Sequence, residues 1–303
     1  MNQSRRAVVA VLVLFWTAAA LADQAADWKS LVDAEKAFAE TALEKGLRTA
    51  FLKYLAGGAL IFRPQPTPGR PFYEKLSPDL PTVLIWRPLF AEISGAADMG
   101  YTSGPYEVYK DRLTKEGSDF GHYVTIWKKQ SGGDWKAILD IGISHAEFGS
   151  RSDDVRAPAE PGPAAAGTVS GLELERAKLT LRTAEASFSK RSEAEGLAKA
   201  TKAYAADRIR FYRQGNFPAS GIKEALKLLA RLESPSSWTP VGIDVSTSAD
   251  LGYTYGTGRL SHFAAGDSAD KVERAFSYLH IWRKAGDGTW RIVLDLALLH
   301  PSQ

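Results

Sequence analysis

The chain has no cysteine among its 303 residues. Disulfides, thiolate nucleophiles and Cys-ligated zinc are therefore excluded, although the compartment is not fixed by that absence. Histidine is sparse: the five, at positions 122, 145, 262, 280 and 300, show no H-x-H or H-x-x-x-H spacing, so no metal site is expected. There is no nucleophile elbow and no phosphate loop, and "GTG" at 256–258 and "GDG" at 286–288 read as hairpin glycines, so no cofactor is expected. Basic and aromatic residues are not clustered as a single-strand nucleic-acid binder requires. After the first two dozen residues no apolar run is long enough to cross a bilayer.

What is present begins with an export signal over residues 1–22. Arg5 and Arg6 give a positive start, Ala7 to Ala19 an apolar run broken only by Thr17, and Ala20-Leu21-Ala22 a small-x-small cleavage site. The mature chain is expected to start near Asp23, in a periplasmic or secreted location. Removing that segment lowers Lys plus Arg from 38 to 36 against 35 Asp plus Glu. The mature protein is nearly neutral, so the charge balance gives no argument for a nucleic-acid or anionic-membrane partner, and none is expected. Its 45% hydrophobic and 11% aromatic content is ample for packed cores.

The chain also matches itself at slowly growing offsets of 150, 152 and 155 residues, as two copies of one unit do when their loops drift in length. "LVDAEKAFAE" (31–40) lies on "LRTAEASFSK" (181–190), "ADMGYTSG" (97–104) on "ADLGYTYG" (249–256), and "YVTIWKKQSGGDWKAILD" (123–140) on "YLHIWRKAGDGTWRIVLD" (278–295). The two units are read as residues 30–148 and 180–301. Between them, residues 149–171 carry prolines 158, 161 and 163 and no aromatic, a linker composition. Within each unit, helical spacing comes first (Leu31, Ala34, Phe38, Ala42; Leu181, Ala184, Phe188). A second helix after Gly46 or Gly196, a short apolar strand, a further helix and then strands follow. The closing hairpin is plainest, with Trp135, Ala137, Leu139, Ile141 and Ile143 expected on one face of its returning strand. This order makes each unit α+β.

The order of elements, with "ADLGYTYG" and the pattern Y-x-x-x-W-R/K-K…G-x-W-x-x-x-x-D, resembles the DUF4440 branch of the NTF2-like superfamily, which includes SnoaL-like and ketosteroid-isomerase-like proteins. The resemblance implies two cone-shaped barrels, each a curved antiparallel sheet around helices with a cavity at its open end. It also implies that the two units pair through their sheets in a pseudo-twofold arrangement inside one chain. Such units usually carry an acid where the second helix meets the first strand. Asp207 stands there in the second unit and Gly57 in the first, so the second is expected to retain whatever function the first has lost.

Asp140 and Asp295, expected on the strand face opposite Trp135 and Leu139 or their counterparts, are candidate acid/base groups. Equally, each reads as a structural aspartate bonded to backbone or paired with Arg63 or Arg213. His280, between Tyr278 and Trp282, is a further candidate. His145 and His300 lie five residues beyond the aspartates, on the opposite strand face, and are expected at strand ends. Arg63, Tyr101, Tyr123 and Trp127, with Arg213, Tyr253, Tyr278 and Trp282, are expected to line the pockets. The expected function is non-catalytic binding of a small apolar or aromatic ligand or of a partner protein. The alternative is a cofactor-independent isomerase, cyclase or dehydratase in which an aspartate moves a proton.

Overall fold

The computed structural model describes residues 4–111, 119–147, 155–156, 167–232, 236–263 and 271–301. The first unit runs α1 (Ser4–Lys45), α2 (Leu47–Tyr54), β1 (Leu55–Phe62), β2 (Pro66–Pro68), α3 (Gly69–Glu74), β3 (Val83–Trp86), β4 (Phe90–Ile93), β5 (Met99–Tyr109), β6 (Asp119–Lys129) and β7 (Trp135–His145). The second repeats it as α4 (Gly171–Glu195), α5 (Leu197–Tyr204), β8 (Ala205–Arg213), β9 (Ala219–Ser220), α6 (Ile222–Leu232), β10 (Ser236–Val245), β11 (Leu251–Phe263), β12 (Lys271–Lys284) and β13 (Trp290–Leu299). The sheet orders are β2-β1-β7-β6-β5-β3, with β4 also on β5, and β10-β11-β12-β13-β8-β9. Where β10 is continuous and shifts register between Pro240 and Gly242, the first unit breaks into β3 and β4 around Pro88. Proline lacks the amide that a ladder needs, and the two units meet that constraint differently.

The shared motifs have physical causes. Gly46 and Gly196 sit at φ 82° and 88° between the first two helices, a region glycine enters without steric penalty. In "ADMGYTSG" the glycine is a close-approach position: a Cβ on Gly100 would fall 2.6 Å from Leu31 Cδ2, and one on Gly252 2.6 Å from Leu181 Cδ2. The indoles of Trp135 and Trp290 reach back to the opening helices, donating to Ser30 Oγ (2.9 Å) and Thr180 Oγ1 (3.1 Å). Each hairpin is thereby fastened to its own helix. Leu31, Phe38 and Ala42 build the first interior with Phe51, Trp86 and Trp127; Leu181 and Phe188 build the second with Trp238 and Trp282.

Two sequence expectations are corrected. The returning strands do not keep one face. Trp127 is opposite Ala137 while Ile126 is opposite Leu139, so Ile138 is an extra residue. That bulge turns Trp135 and Ala137 into the unit's interior and Leu139, Ile141 and Ile143 outward. Val293 does the same between Ile292 and Leu294. Secondly, the second unit's opening helix starts at Gly171, inside the expected linker and ahead of residue 180. Ser170 caps it in a reciprocal box with Glu173, and the helix formers that follow outweigh the Pro/Ala/Gly composition before them. The rest of that linker, apart from residues 155–156 and 167–170, lies outside the described residues, as do the side chains of the expected export signal. Among the described residues no helix is long and apolar enough to cross a membrane.

The outward faces of the two sheets pack on each other. Met99, Tyr101, Ile126, Leu139 and Ile141 share one buried cluster with Tyr212, Leu251, Tyr253, Ile281 and Leu294. The contact is pseudo-twofold at the level of single bonds. Gly95 N donates to Asp250 Oδ2 and Thr247 N to Asp98 Oδ2, both at 2.9 Å. Arg283 pairs with Glu92 while its equivalent Lys128 pairs with Asp244, the equivalent of Glu92.

Candidate functional site

Each interior is organised by one acid on its opening helix. Glu35 and Glu185, equivalent residues, have no exposed surface. Glu35 accepts from the indoles of Trp86 and Trp127 and from the Thr102 hydroxyl. Glu185 accepts from the indoles of Trp238 and Trp282 and from the Thr254 hydroxyl. The paired tryptophans and the threonine of "GYT" are therefore donors to a buried carboxyl. Sequence reasoning missed both acids. The signal was an acid four residues after Leu31 and Leu181, on the apolar face of a helix in both copies.

The units part at one position. Where the first has Thr125, whose hydroxyl donates to Asp140 at 2.8 Å, the second has His280. The His280 ring lies 3.0 Å from Glu185 through Nδ1 and 3.6 Å from Asp295 through Nε2. Arg213 closes the set, its two terminal nitrogens meeting the two oxygens of Asp295 at 2.7 and 2.9 Å. Two anions and two cations make a neutral buried quartet. In the first unit no such balance exists. Arg63, equivalent to Arg213, donates to the Phe62 carbonyl (2.9 Å) and the Tyr73 hydroxyl (3.2 Å), and no ion pair joins it to Asp140.

The protonation states follow. Burial pushes Glu35 up to about 7 against the pull of its three donors. Burial also raises Asp140, opposed by the Thr125 bond and the charge of Arg63. In the second unit burial would drive His280 to the neutral form, but Glu185 and Asp295 beside it hold it up at about 9. Burial works against Asp295 too, yet Arg213 and His280 keep its carboxyl well below the usual range. The first unit thus holds two carboxyls biased toward the protonated form, and the second a fully ionised cluster.

A cavity of about 240 Å³ opens in the first unit, walled by Phe38, Phe51, Phe62, Leu84, Trp86 and Val108. Its polar groups are Asp140, Arg63 at the exposed rim, Tyr106 and Tyr123, whose buried hydroxyl has no hydrogen-bond partner. In the second unit the equivalent Arg213 and Asp295 are paired with each other, while the Tyr278 hydroxyl, like that of Tyr123, is buried without a hydrogen-bond partner.

The other candidates fall elsewhere. Tyr101 and Tyr253, expected to line pockets, lie in the contact between sheets, where the Tyr101 hydroxyl donates to Glu92 at 2.7 Å. The pleat is the reason, since Gly100 and Thr102 take the inward positions on either side. Trp127 and Trp282 are fully buried donors to the acids, and Tyr278 packs on the His280 ring at 4.5 Å between centroids. Asp140 and Asp295 share the inward face with Trp135 and Trp290, because the bulge brings them back to that side. His145 pairs with His122 at 2.7 Å and His300 with Ser277 at 2.9 Å, both at strand ends.

No family model matches the chain, and no curated protein does. Among solved structures, the chain is similar to a conserved protein from Planctomyces limnophilus at 18% identity and TM-score 0.36, over 42% of this chain and 99% of that one. It is similar to a ketosteroid isomerase-like protein from Erwinia carotovora atroseptica at 16% and 0.33, over 43% and 95%. An NTF2-like protein with a cystatin-like fold from Novosphingobium aromaticivorans is matched at 15% and 0.34, over 44% and 87%. Each covers a share of this chain near the length of one unit, and the activity of this chain has to be read from its own residues.

Proposed function

We propose that the chain is an exported binding protein whose first unit holds a small, largely apolar ring-bearing ligand, the second unit serving as its structural partner. The supporting observation is the ring-walled cavity of about 240 Å³, with Asp140 in its wall and Arg63 at its exposed rim. An apolar, ring-lined cleft with a few polar groups at its wall and rim has the form of a small-ligand site. Calorimetric titration of the full chain with 1-tetralone, a neutral aromatic ketone, is expected to give binding. Leu84→Trp, which fills the cavity from its partly exposed wall, is expected to weaken that binding by about tenfold or more with the melting temperature unchanged. Unaltered affinity in that variant would place the ligand elsewhere.

A second reading is favoured by Asp140 alone. A carboxyl raised by burial, in the same cleft as the Tyr123 hydroxyl, suits proton transfer next to a carbonyl, the carboxylate taking the proton while the hydroxyl donates to the oxygen. In D2O the protein would then speed deuterium uptake at the carbon beside the 1-tetralone carbonyl, faster as pH rises and Asp140 ionises. Asp140→Asn would stop that uptake and leave binding intact. No acceleration over buffer rejects this reading and leaves the first standing.

A further inference from the structure

The two units act as each other's control at one residue. Arg213 ends β8 and Arg63 follows directly on the equivalent β1, and they make the same first contact, each donating to the carbonyl of the preceding residue at 2.9 Å. Arg213 then spends its remaining fork on Asp295. Arg63 does not: Asp140, in the place of Asp295, is held by Thr125, and among the described residues no carboxylate pairs with Arg63. The Arg63 guanidinium lines the cavity and lies 5.5 Å from the Phe72 ring centroid. A guanidinium fork is shaped for a planar carboxylate, and here the protein supplies none. The hydroxyls of Tyr123 and its counterpart Tyr278 are alike in being buried without a hydrogen-bond partner, so the contrast between the units rests on the two arginines.

Resting on the reading of the cavity as a ligand site, we propose that its ligand is a small aromatic monocarboxylate whose carboxylate pairs with Arg63 as Asp295 pairs with Arg213. The ring lies among Phe38, Phe51, Phe62 and Trp86, and the volume of about 240 Å³ suits one or two rings with a short acidic arm. The second unit carries its own carboxylate in that position and has no need of a ligand there.

The test compares trans-cinnamate with trans-cinnamamide, which share a shape and differ in charge at one end, by calorimetric titration of the full chain at pH 7. Cinnamate is expected to bind about tenfold or more tighter than the amide, and Arg63→Gln to erase that preference. Arg63 stands at the exposed rim, so this variant is expected to fold, which its melting curve checks. Equal binding of acid and amide, or a preference that survives in Arg63→Gln, overturns the proposal while the cavity reading stands. If neither probe nor 1-tetralone binds, the cavity reading fails and this proposal falls with it.

Discussion

Replacing Arg283 with methionine is expected to lower the unfolding free energy by about 3–5 kcal/mol, measured by urea denaturation of the full chain. Arg283 is almost wholly buried between the units, and each of its three nitrogens has a partner there. It bonds Glu92 at 2.7 and 2.9 Å, Asp250 at 2.7 Å and the Ile93 carbonyl at 2.7 Å. Burial alone would loosen its proton, and the two carboxylates more than reverse that, raising its already high pKa. Methionine fills most of the volume but leaves Asp250 without its cation and Glu92 with only the Arg208 guanidinium, at 3.6 Å. The loss therefore reflects stranded charge more than lost attraction. The triple variant Arg283→Met, Glu92→Gln, Asp250→Asn is accordingly expected to recover most of the stability. A single-variant loss below about 1 kcal/mol would mean that water reaches this cluster and that the sheets do not seal against each other.

How much of this was legible in the sequence depends on which physical signal each feature left. The duplication was legible because identical constraints leave identical residues. Gly100 and Gly252 admit the same helix, and Trp135 and Trp290 fasten the same hairpin. The α+β order was legible from the change of period along each unit. The bulges at Ile138 and Val293 were not, since an inserted residue inside an apolar run leaves the alternation looking unbroken while exchanging its faces. That one error put Leu139 and Ile141 on the same strand face as Trp135, whereas the bulge gives them to the contact between the sheets. Glu35 and Glu185 were visible only as acids on an apolar helical face, and what they hold lies 51 to 97 residues further along the chain. The contrast between the units was hidden for a similar reason. His280 and Thr125 differ by one residue, but the consequence appears only when Arg213, Asp295 and Glu185 converge on it from three other elements.

The same substitution at the two equivalent acids is expected to move stability in opposite directions. In Glu185→Gln the buried His280 cation loses its nearer anion, and at pH 6 the protein is expected to lose about 3–5 kcal/mol. The pH window follows from the direction of each shift. The His280 pKa is raised to about 9 in the folded protein, so its contribution is complete below its unfolded value of 6.5 and is lost as pH rises through 9. Glu185 and Asp295 are lowered, so theirs is present above their unfolded values of 4.5 and 3.8 and is lost as pH falls through the folded ones. The penalty for Glu185→Gln is therefore largest near pH 5–6 and shrinks toward pH 9. Glu35 has the opposite sign, being raised to about 7, so the folded state prefers its protonated form. The Glu35 contribution to wild-type stability is expected to drop by about 3 kcal/mol between pH 5 and 8, as that carboxyl is forced to ionise without a cation beside it, and the difference between wild type and Glu35→Gln isolates it. Glutamine is uncharged like the protonated acid, accepting from Trp86 and donating to Thr102, and it leaves the Trp127 indole to the Thr102 hydroxyl alone; Glu35→Gln is expected to cost about 1 kcal/mol at pH 5 and to be more stable than wild type at pH 8. Urea midpoints of both variants at pH 5, 6, 8 and 9 decide the matter. Parallel losses in the two variants would mean that each acid is a charged hub of the same kind, and the division between an ionised second unit and a protonated first one would be wrong.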